Sequence, residues 1–299
     1  MSKANGDDRD LSKKFDAGDG VRLKDGTVLP KLGQGTWHMG DQPSRRKEEI
    51  RSLRLGVELG MKMIDTAEMY GDGRSESLIG EAIQGIREQV FLVSKVYPHH
   101  AGLKHIARSC DNSLKRLGTD SLDFYLLHWR GNVPLGETIE GMERLKEAGK
   151  IRRWGVSNLD TRDMKELLSL ENGTECAVNQ VLYHLGSRGI EFDLLPHAQN
   201  NGIPVMAYCP LAQAGTLRDG LLRSEAVRDI ADHHGIKPFQ LLLAWCIRHA
   251  RVIAIPKAST EDHVRENAAA ALVKLTDADL ARLDRAFPPP SRKMPLDIV

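Results

Sequence analysis

Cysteine is scarce and unpatterned: the chain has four, at Cys110, Cys176, Cys209 and Cys246, and no Cys-x-x-Cys step. That removes zinc knuckles and thioredoxin-type redox motifs, and predicts single thiols in a reducing compartment. Net charge is nearly absent, at +1. Without a long-range field, neither nucleic acid nor an anionic membrane is expected as a partner. No apolar run approaches the ~20 residues that cross a bilayer. Met1 to Gly20 is polar and lacks the apolar core of a secretory signal, so a disordered N-terminal extension and a cytoplasmic address are expected. Also missing is a completed Gly-x-Gly-x-x-Gly; the place after the first strand reads Gly33-Gln34-Gly35-Thr36-Trp37-His38. The histidine pairs His99-His100 and His233-His234 lack the spacing of metal ligands, and no His-Glu-x-x-His occurs, so no metal is expected.

What is present is alternation. Val21 to Leu29 reads as a hairpin turning at Lys24-Asp25-Gly26. Strand-like runs follow at 32–36, 61–65, 90–95, 122–128, 151–157, 176–180, 204–208 and 252–256. Most are apolar throughout, as in parallel strands covered on both faces. Between them lie helical stripes such as Leu103, Ile106, Ala107, Cys110, Leu114 and Leu117, or Ile139, Met142 and Leu145. Asp160 is placed to cap one helix and Pro238 to open another. A chain of 299 residues with 41% hydrophobic content can bury one large core. Eight strand–helix alternations without a flexible linker predict an α/β fold of one kind, a single (β/α)8 barrel over 21–299 with an N-terminal β-hairpin. The doubly wound open sheet is the weaker alternative, for want of its glycine fingerprint.

Active sites in such barrels sit at the carboxyl ends of the strands. There this sequence places Asp65, Lys95, His128, Asn158, Gln180, Tyr208 and Lys257, with Tyr70 in the loop beyond Asp65. Singly, each has an ordinary explanation: a loop cap, a snorkelling lysine, a packed aromatic, a satisfied core histidine. Together, a phenol, an ammonium, a carboxylate and an imidazole form a proton-donor kit. A free phenol titrates near ~10. An ammonium beside Tyr70 would lower that value, and Asp65 would keep Lys95 charged. With His128 as a second donor, the kit suits an oxygen that gains negative charge, as in carbonyl reduction.

Ile64-Asp65-Thr66-Ala67-Glu68-Met69-Tyr70-Gly71, Val93-Ser94-Lys95-Val96 and Leu126-Leu127-His128-Trp129 resemble the three catalytic signatures of the aldo-keto reductases. Gly155-Val156-Ser157-Asn158, Asn179-Gln180, Ala207-Tyr208-Cys209-Pro210-Leu211 and Ile255-Pro256-Lys257-Ala258 resemble that family's cofactor motifs, in order, from about Val21 to Phe287. The nearest likeness is to bacterial methylglyoxal-type reductases of small aldehydes and dicarbonyls. The resemblance implies Asp65, Tyr70, Lys95 and His128 as the catalytic set and NADPH (NADP) as cofactor, with NADH possible. It implies that Ser157, Asn158 and Gln180 hold the carboxamide and that Tyr208 stacks on the nicotinamide. Cys209, Pro210 and Leu211 would follow the pyrophosphate, and Lys257 would pair with the 2′-phosphate. Glu266 and Asn267 would hold the adenine, and Thr36, Asp65, Ile255, Pro256, Ala258, Ser259 and His263 would complete the cradle. Trp37, Tyr70, His128 and Trp129 would line the substrate pocket.

The chain departs from the family at three places. Ala258 stands where serine is frequent, His263 where arginine is frequent, and Arg130 where proline often follows the tryptophan. NADP selectivity is therefore expected to be weaker, unless Ser259, Thr260 or Arg265 compensates; a rim cation at Arg130 would favour acidic substrates or simply face water. The short proline-rich tail after Phe287 predicts an open mouth. A small-molecule carbonyl substrate and a monomer are expected. Two other classes stay in view: an NADP(H)-binding sensor or regulatory subunit on the same fold, and a metal-assisted hydrolase.

Overall fold

The structure is a computed structural model that describes residues 20–213 and 215–299. The expected extension at 1–20 lies, apart from Gly20, outside the described residues. The hairpin forms as read: β1 (Val21–Arg22) pairs antiparallel with β2 (Val28–Leu29). Its turn is tightened by Asp25, whose carboxylate accepts from the Thr27 amide at 2.9 Å, and by Gly26 at φ +87°. That left-handed backbone is one that glycine adopts without penalty.

Eight parallel strands follow, each hydrogen-bonded to the next: β3 (Gln34–Gly35), β4 (Met63–Asp65), β5 (Phe91–Val96), β6 (Leu122–Leu127), β7 (Ile151–Ser157), β8 (Asn179–Leu182), β9 (Val205–Tyr208) and β10 (Val252–Ala254). The last strand returns to the first. Gly33 donates to the Ala254 carbonyl at 2.8 Å, Ala254 to that of Lys31 at 2.8 Å, and Gly35 to that of Pro256 at 3.1 Å. The sheet is therefore closed, and the barrel expected from the sequence is the observed architecture. The seam is tight: a Cβ on Gly35 would lie 2.7 Å from the Ile255 carbonyl oxygen, so only glycine fits there.

Helices cover the outside, among them α1 (Arg46–Glu58), α2 (Arg74–Ile83), α3 (Ile106–Leu117), α4 (Leu135–Glu147), α5 (Thr161–Ser169) and α6 (Leu194–Asn200). After β9 come α7 (Thr216–Arg223), α8 (Glu225–His233) and α9 (Pro238–Cys246), and after β10 come α10 (Glu261–Ala270) and α11 (Asp277–Ala286). Asp160 caps α5 and Pro238 opens α9, as read. The stripe on α3 differs. Ser109 and Ser113 are buried beside Ile106, Cys110, Leu114 and Leu117, whereas Ala107 is exposed and Leu103 precedes the helix. At 100° per residue, position 107 turns off the line joining 106, 110 and 117. The β8 strand starts three residues later than expected, although Ala177 still donates to the Trp154 carbonyl at 2.9 Å.

Two apolar clusters result. The larger joins strands to helices. The smaller fills the barrel: Met63, Val93, Phe124, Leu126, Val178, Met206, Ile253 and Ile255, with Val21, Leu23 and Leu29 of the hairpin closing the end below them. Arg153 of β7 fixes the hairpin, donating to Asp25 and Thr27 side chains at 2.6 Å each. Side chains on a strand alternate between faces. The residue two places beyond Met63 is Asp65, beyond Val93 Lys95, beyond Leu126 His128, beyond Val178 Gln180, and beyond Met206 Tyr208. One pleat step above the dry interior, the same inward positions turn polar.

Candidate active site

Lys95 has no exposed surface, and its ammonium donates three hydrogen bonds: to Asp65 Oδ2 at 2.8 Å, to the Thr66 carbonyl at 2.8 Å and to the Tyr70 hydroxyl at 3.1 Å. An ammonium has three hydrogens, so its capacity is spent. The Tyr70 oxygen acts as acceptor toward Lys95, which leaves its own O–H to point elsewhere. Tyr70 is partly exposed while Lys95 and Asp65 are buried, so that proton faces the barrel mouth. Asp65 is held on its other oxygen by the Gln180 amide at 2.8 Å, and its carbonyl accepts from Thr36 Oγ1 at 2.8 Å.

Burial pushes the Asp65 carboxyl up and the Lys95 ammonium down, and each pulls the other back toward its charged form. The pair is best described as ionised, because every ammonium hydrogen has an oxygen partner. The Tyr70 phenol runs against the sequence expectation. It lies well above its ordinary value, pushed up by burial and further by the Asp65 carboxylate. Desolvation sets the direction, so the phenol keeps its proton at neutral pH. His128 packs edge-on to Tyr70 with ring centroids 5.8 Å apart. Burial and the Lys95 charge push its pKa down to about 2, so the imidazole is neutral. Its Nδ1 is buried without a hydrogen-bond partner among the described residues, which leaves Nε2 to meet a ligand.

Beside this quartet, Asn158 adopts φ +58° and its amide donates to the His128 carbonyl at 3.2 Å and to Ser157 Oγ at 3.2 Å. Its oxygen accepts from the Tyr208 hydroxyl at 2.9 Å, fixing that ring at the mouth. Cys209 (φ +48°) and Ala212 (φ +57°) are also left-handed, and Ala212 donates to the Cys209 carbonyl at 2.9 Å. Non-glycine residues held this way concentrate where a ligand fixes backbone direction. A model of the aldo/keto reductase family matches residues 31–287. This chain belongs to the aldo/keto reductase family. It is 58% identical to methylglyoxal reductase YeaE of Escherichia coli, over 93% of this chain and 98% of that protein. It is 32% identical to glyoxal reductase of Bacillus subtilis, over 89% and 92% of the two chains. An aldo/keto reductase of Klebsiella pneumoniae, crystallised with NADP and acetate, superposes with a TM-score of 0.92 at 56% identity, covering 94% of this chain and 99% of that one.

The remaining expected positions of this reductase divide. Ile255 and Pro256 are buried in the seam, Ala258 is buried, and Lys257 is exposed beyond β10. Thr260 caps α10 through the His263 amide at 3.4 Å, while Ser259 accepts from Arg45 at 3.0 Å. His263 is exposed, and Glu266 is ion-paired with Lys237. Asn267 is buried, Pro210 is buried, and Leu211 packs against the outer core. Trp37 and Trp129 are each 37% exposed at the mouth, Trp129 against His128 and Tyr97. Arg130 is not an available rim cation, since it is bound to Asp163 at 3.2 Å and to Glu166 at 2.8 Å on α5.

The tail is fixed to the barrel. Lys293 donates to Asp160 at 2.5 Å and to Asp193 at 2.8 Å, and Ser187 donates to Asp297. It is tethered to the segments that follow β7 and β8. Sequence reasoning missed Glu68, which accepts from the Tyr97 amide at 2.8 Å and from Ser109 at 2.5 Å and so ties the Tyr70 loop to the next one. It missed Glu76, buried between Ser94 (2.6 Å) and Arg116 (2.6 Å) behind Lys95. Both carboxylates stood inside or beside the catalytic signature, which was their available signal. Among the described residues no cluster is arranged to hold a metal and no helix is long and apolar enough to cross a membrane.

Proposed function

We propose that this aldo/keto reductase converts small aldehydes and α-dicarbonyls to alcohols with NADPH, using Tyr70 as general acid. The observation that carries the reading is the Lys95 ammonium, whose third hydrogen bond, at 3.1 Å, makes the Tyr70 oxygen an acceptor and turns its proton outward. The names of the Escherichia coli and Bacillus subtilis relatives, both reductases of α-dicarbonyls, support the substrate class. The Klebsiella pneumoniae complex with NADP supports the cofactor.

The residues at the mouth fit a nicotinamide dinucleotide. The Tyr208 ring is held by Asn158, Gln180 keeps Oε1 as its remaining polar atom, and an exposed Lys257 stands at the far end near Ser259. Ser157, Asn158 and Gln180 would hold the carboxamide, Tyr208 would offer a stacking face, Cys209 to Leu211 would follow the pyrophosphate, and Lys257 would meet the 2′-phosphate. When bound, the cofactor supplies hydride to the carbonyl carbon. The chain does the rest. His128, neutral, donates a hydrogen bond to the carbonyl oxygen and orients it, and Tyr70 surrenders its proton as that oxygen becomes an alkoxide, a far stronger base than phenolate. The phenolate then forms 3.1 Å from a fixed ammonium whose own charge is secured by Asp65, so stabilisation appears as charge develops. A raised resting value is compatible with this role, because the acid must keep its proton until the alkoxide exists.

Trp37 and Trp129 wall the pocket, and no observation favours a sensor. The four cysteines are unpaired, which supports a reducing, cytoplasmic setting, and we take the active unit to be a monomer. The test is NADPH consumption with methylglyoxal, glyoxal and aromatic aldehydes, repeated with NADH and with Tyr70→Phe. Turnover of the dicarbonyls with NADPH is expected, and its loss in the variant with cofactor affinity retained; a variant as active as the parent would refute the acid.

A further inference from the structure

Arg45 lies on the loop between β3 and α1, yet it reaches the segment after β10, where its Nη2 donates to Ser259 Oγ at 3.0 Å across 214 residues of sequence. Its neighbour Arg46 is committed to Glu81, at 2.7 and 3.1 Å. The carboxylate near Arg45, Glu48, is 3.8 Å from Nε, and both side chains are about two-fifths exposed, at 38% and 42%. Such a pair is long, solvent-screened and weak. Most of the Arg45 charge is therefore unspent, and it is held beside Ser259, two residues from the exposed Lys257. The charge is felt there: after burial and the opposing effect of Glu49, Arg45 is among the groups acting on the Lys257 ammonium.

We propose that Arg45 binds the adenosine 2′-phosphate of the cofactor, forming with Lys257 and Ser259 a three-point phosphomonoester clamp that selects NADPH over NADH. The inference rests on the nicotinamide reading above and adds the residue that decides between the two cofactors. A guanidinium presents a planar fork matched to two phosphate oxygens, and Ser259 holds that fork in place before the ligand arrives, reducing what must be ordered on binding. The clamp would supply a permanent cation that His263, an exposed and titratable side chain, does not.

The test is calorimetric titration of the full chain with 2′,5′-ADP and with 5′-AMP, which share the adenosine and differ in the 2′-phosphate, with inorganic phosphate as a third probe. The parent is expected to bind 2′,5′-ADP more tightly than 5′-AMP and inorganic phosphate only weakly. Arg45→Ala should weaken 2′,5′-ADP about tenfold and leave 5′-AMP unchanged, with Arg45→Lys between them. Equal loss for both nucleotides would mean that Arg45 merely braces its loop, and no loss would mean that it is a bystander; either overturns the clamp. Inorganic phosphate as tight as 2′,5′-ADP would show a general anion site and also overturn it. Failure of the parent to bind either nucleotide would instead count against the nicotinamide reading itself, and the clamp would fall with it.

Discussion

The lower half of the barrel interior and its upper rim are built on the same strands, two residues apart. Below lie Met63, Val93, Phe124, Leu126, Val178 and Met206, sealed from beneath by Val21, Leu23 and Leu29. Above lie Asp65, Lys95, His128, Gln180 and Tyr208, about 7 Å further along each strand. The lower layer is dry packing, where each side chain adds to stability by leaving water. The upper layer buries an ion pair and a neutral imidazole, whose desolvation opposes folding. Stability and chemistry thus occupy separate layers of one sheet. The lower layer supplies the rigid floor on which the charged one is held.

That separation can be broken by substitution. In the upper layer, Tyr70→Phe should lower kcat by about three orders of magnitude, the middle of the range for a positioned general acid, with little change in melting temperature. In the lower layer, Phe124→Ala should cost about 3–5 kcal/mol of stability while leaving kcat per folded molecule nearly intact. Thermal unfolding and steady-state kinetics on both variants decide the matter. If the floor variant loses catalysis while folded, or the phenol variant melts early, the two layers are not independent.

Much of this is legible in the sequence alone. Continuous apolar strands that each end in a polar residue gave the barrel and its rim, because inward positions recur every second residue and a strand end is marked by where apolarity stops. The direction of the Tyr70 shift was not legible. Lys95 was visible as a neighbour, but desolvation depends on how completely the site is enclosed, and that is set by residues far away in the chain. Arg45 was hidden for a related reason: its partner Ser259 lies on the opposite side of the barrel seam, joined to it only when β3 and β10 meet. The tethers of the tail, Lys293 to Asp160 and Asp193, were not legible because they are single surface charges that carry no pattern.

A pH series sharpens the comparison further. Burial pushes His128 down to about 2, and His184 and His249 down to about 4 each. In the unfolded chain all three titrate near ~6.5. Below that value the unfolded state binds protons that the folded state refuses, so stability is full above about pH 6.5 and falls with decreasing pH, by up to about 1.4 kcal/mol per pH unit for each histidine. His184 and His249 stop contributing near 4, and His128 continues toward 2. Denaturant midpoints between pH 7.5 and 5 should show this slope, and His128→Gln should reduce it by one proton. A flat profile would mean that these imidazoles are not buried as described. Because His128 stays neutral over that range, any acid limb in kcat/KM above pH 5 has another origin.

The smallest expected effect lies within the upper layer and asks whether it divides into acid and cradle. The Tyr208 hydroxyl donates to Asn158 at 2.9 Å, and Asn158 in turn holds the His128 carbonyl and Ser157. Tyr208→Phe keeps the ring that would stack and removes one neutral hydrogen bond, worth about 1 kcal/mol net. NADPH and NADH should therefore both bind about fivefold more weakly, with equal losses because the 2′-phosphate lies elsewhere, and kcat should change by no more than about twofold. Fluorescence titration with each cofactor, beside single-turnover kinetics, reads these apart. A kcat loss approaching that of Tyr70→Phe would show that the Asn158 network positions the acid as well as the cofactor, and the upper layer would have to be treated as one cooperative unit.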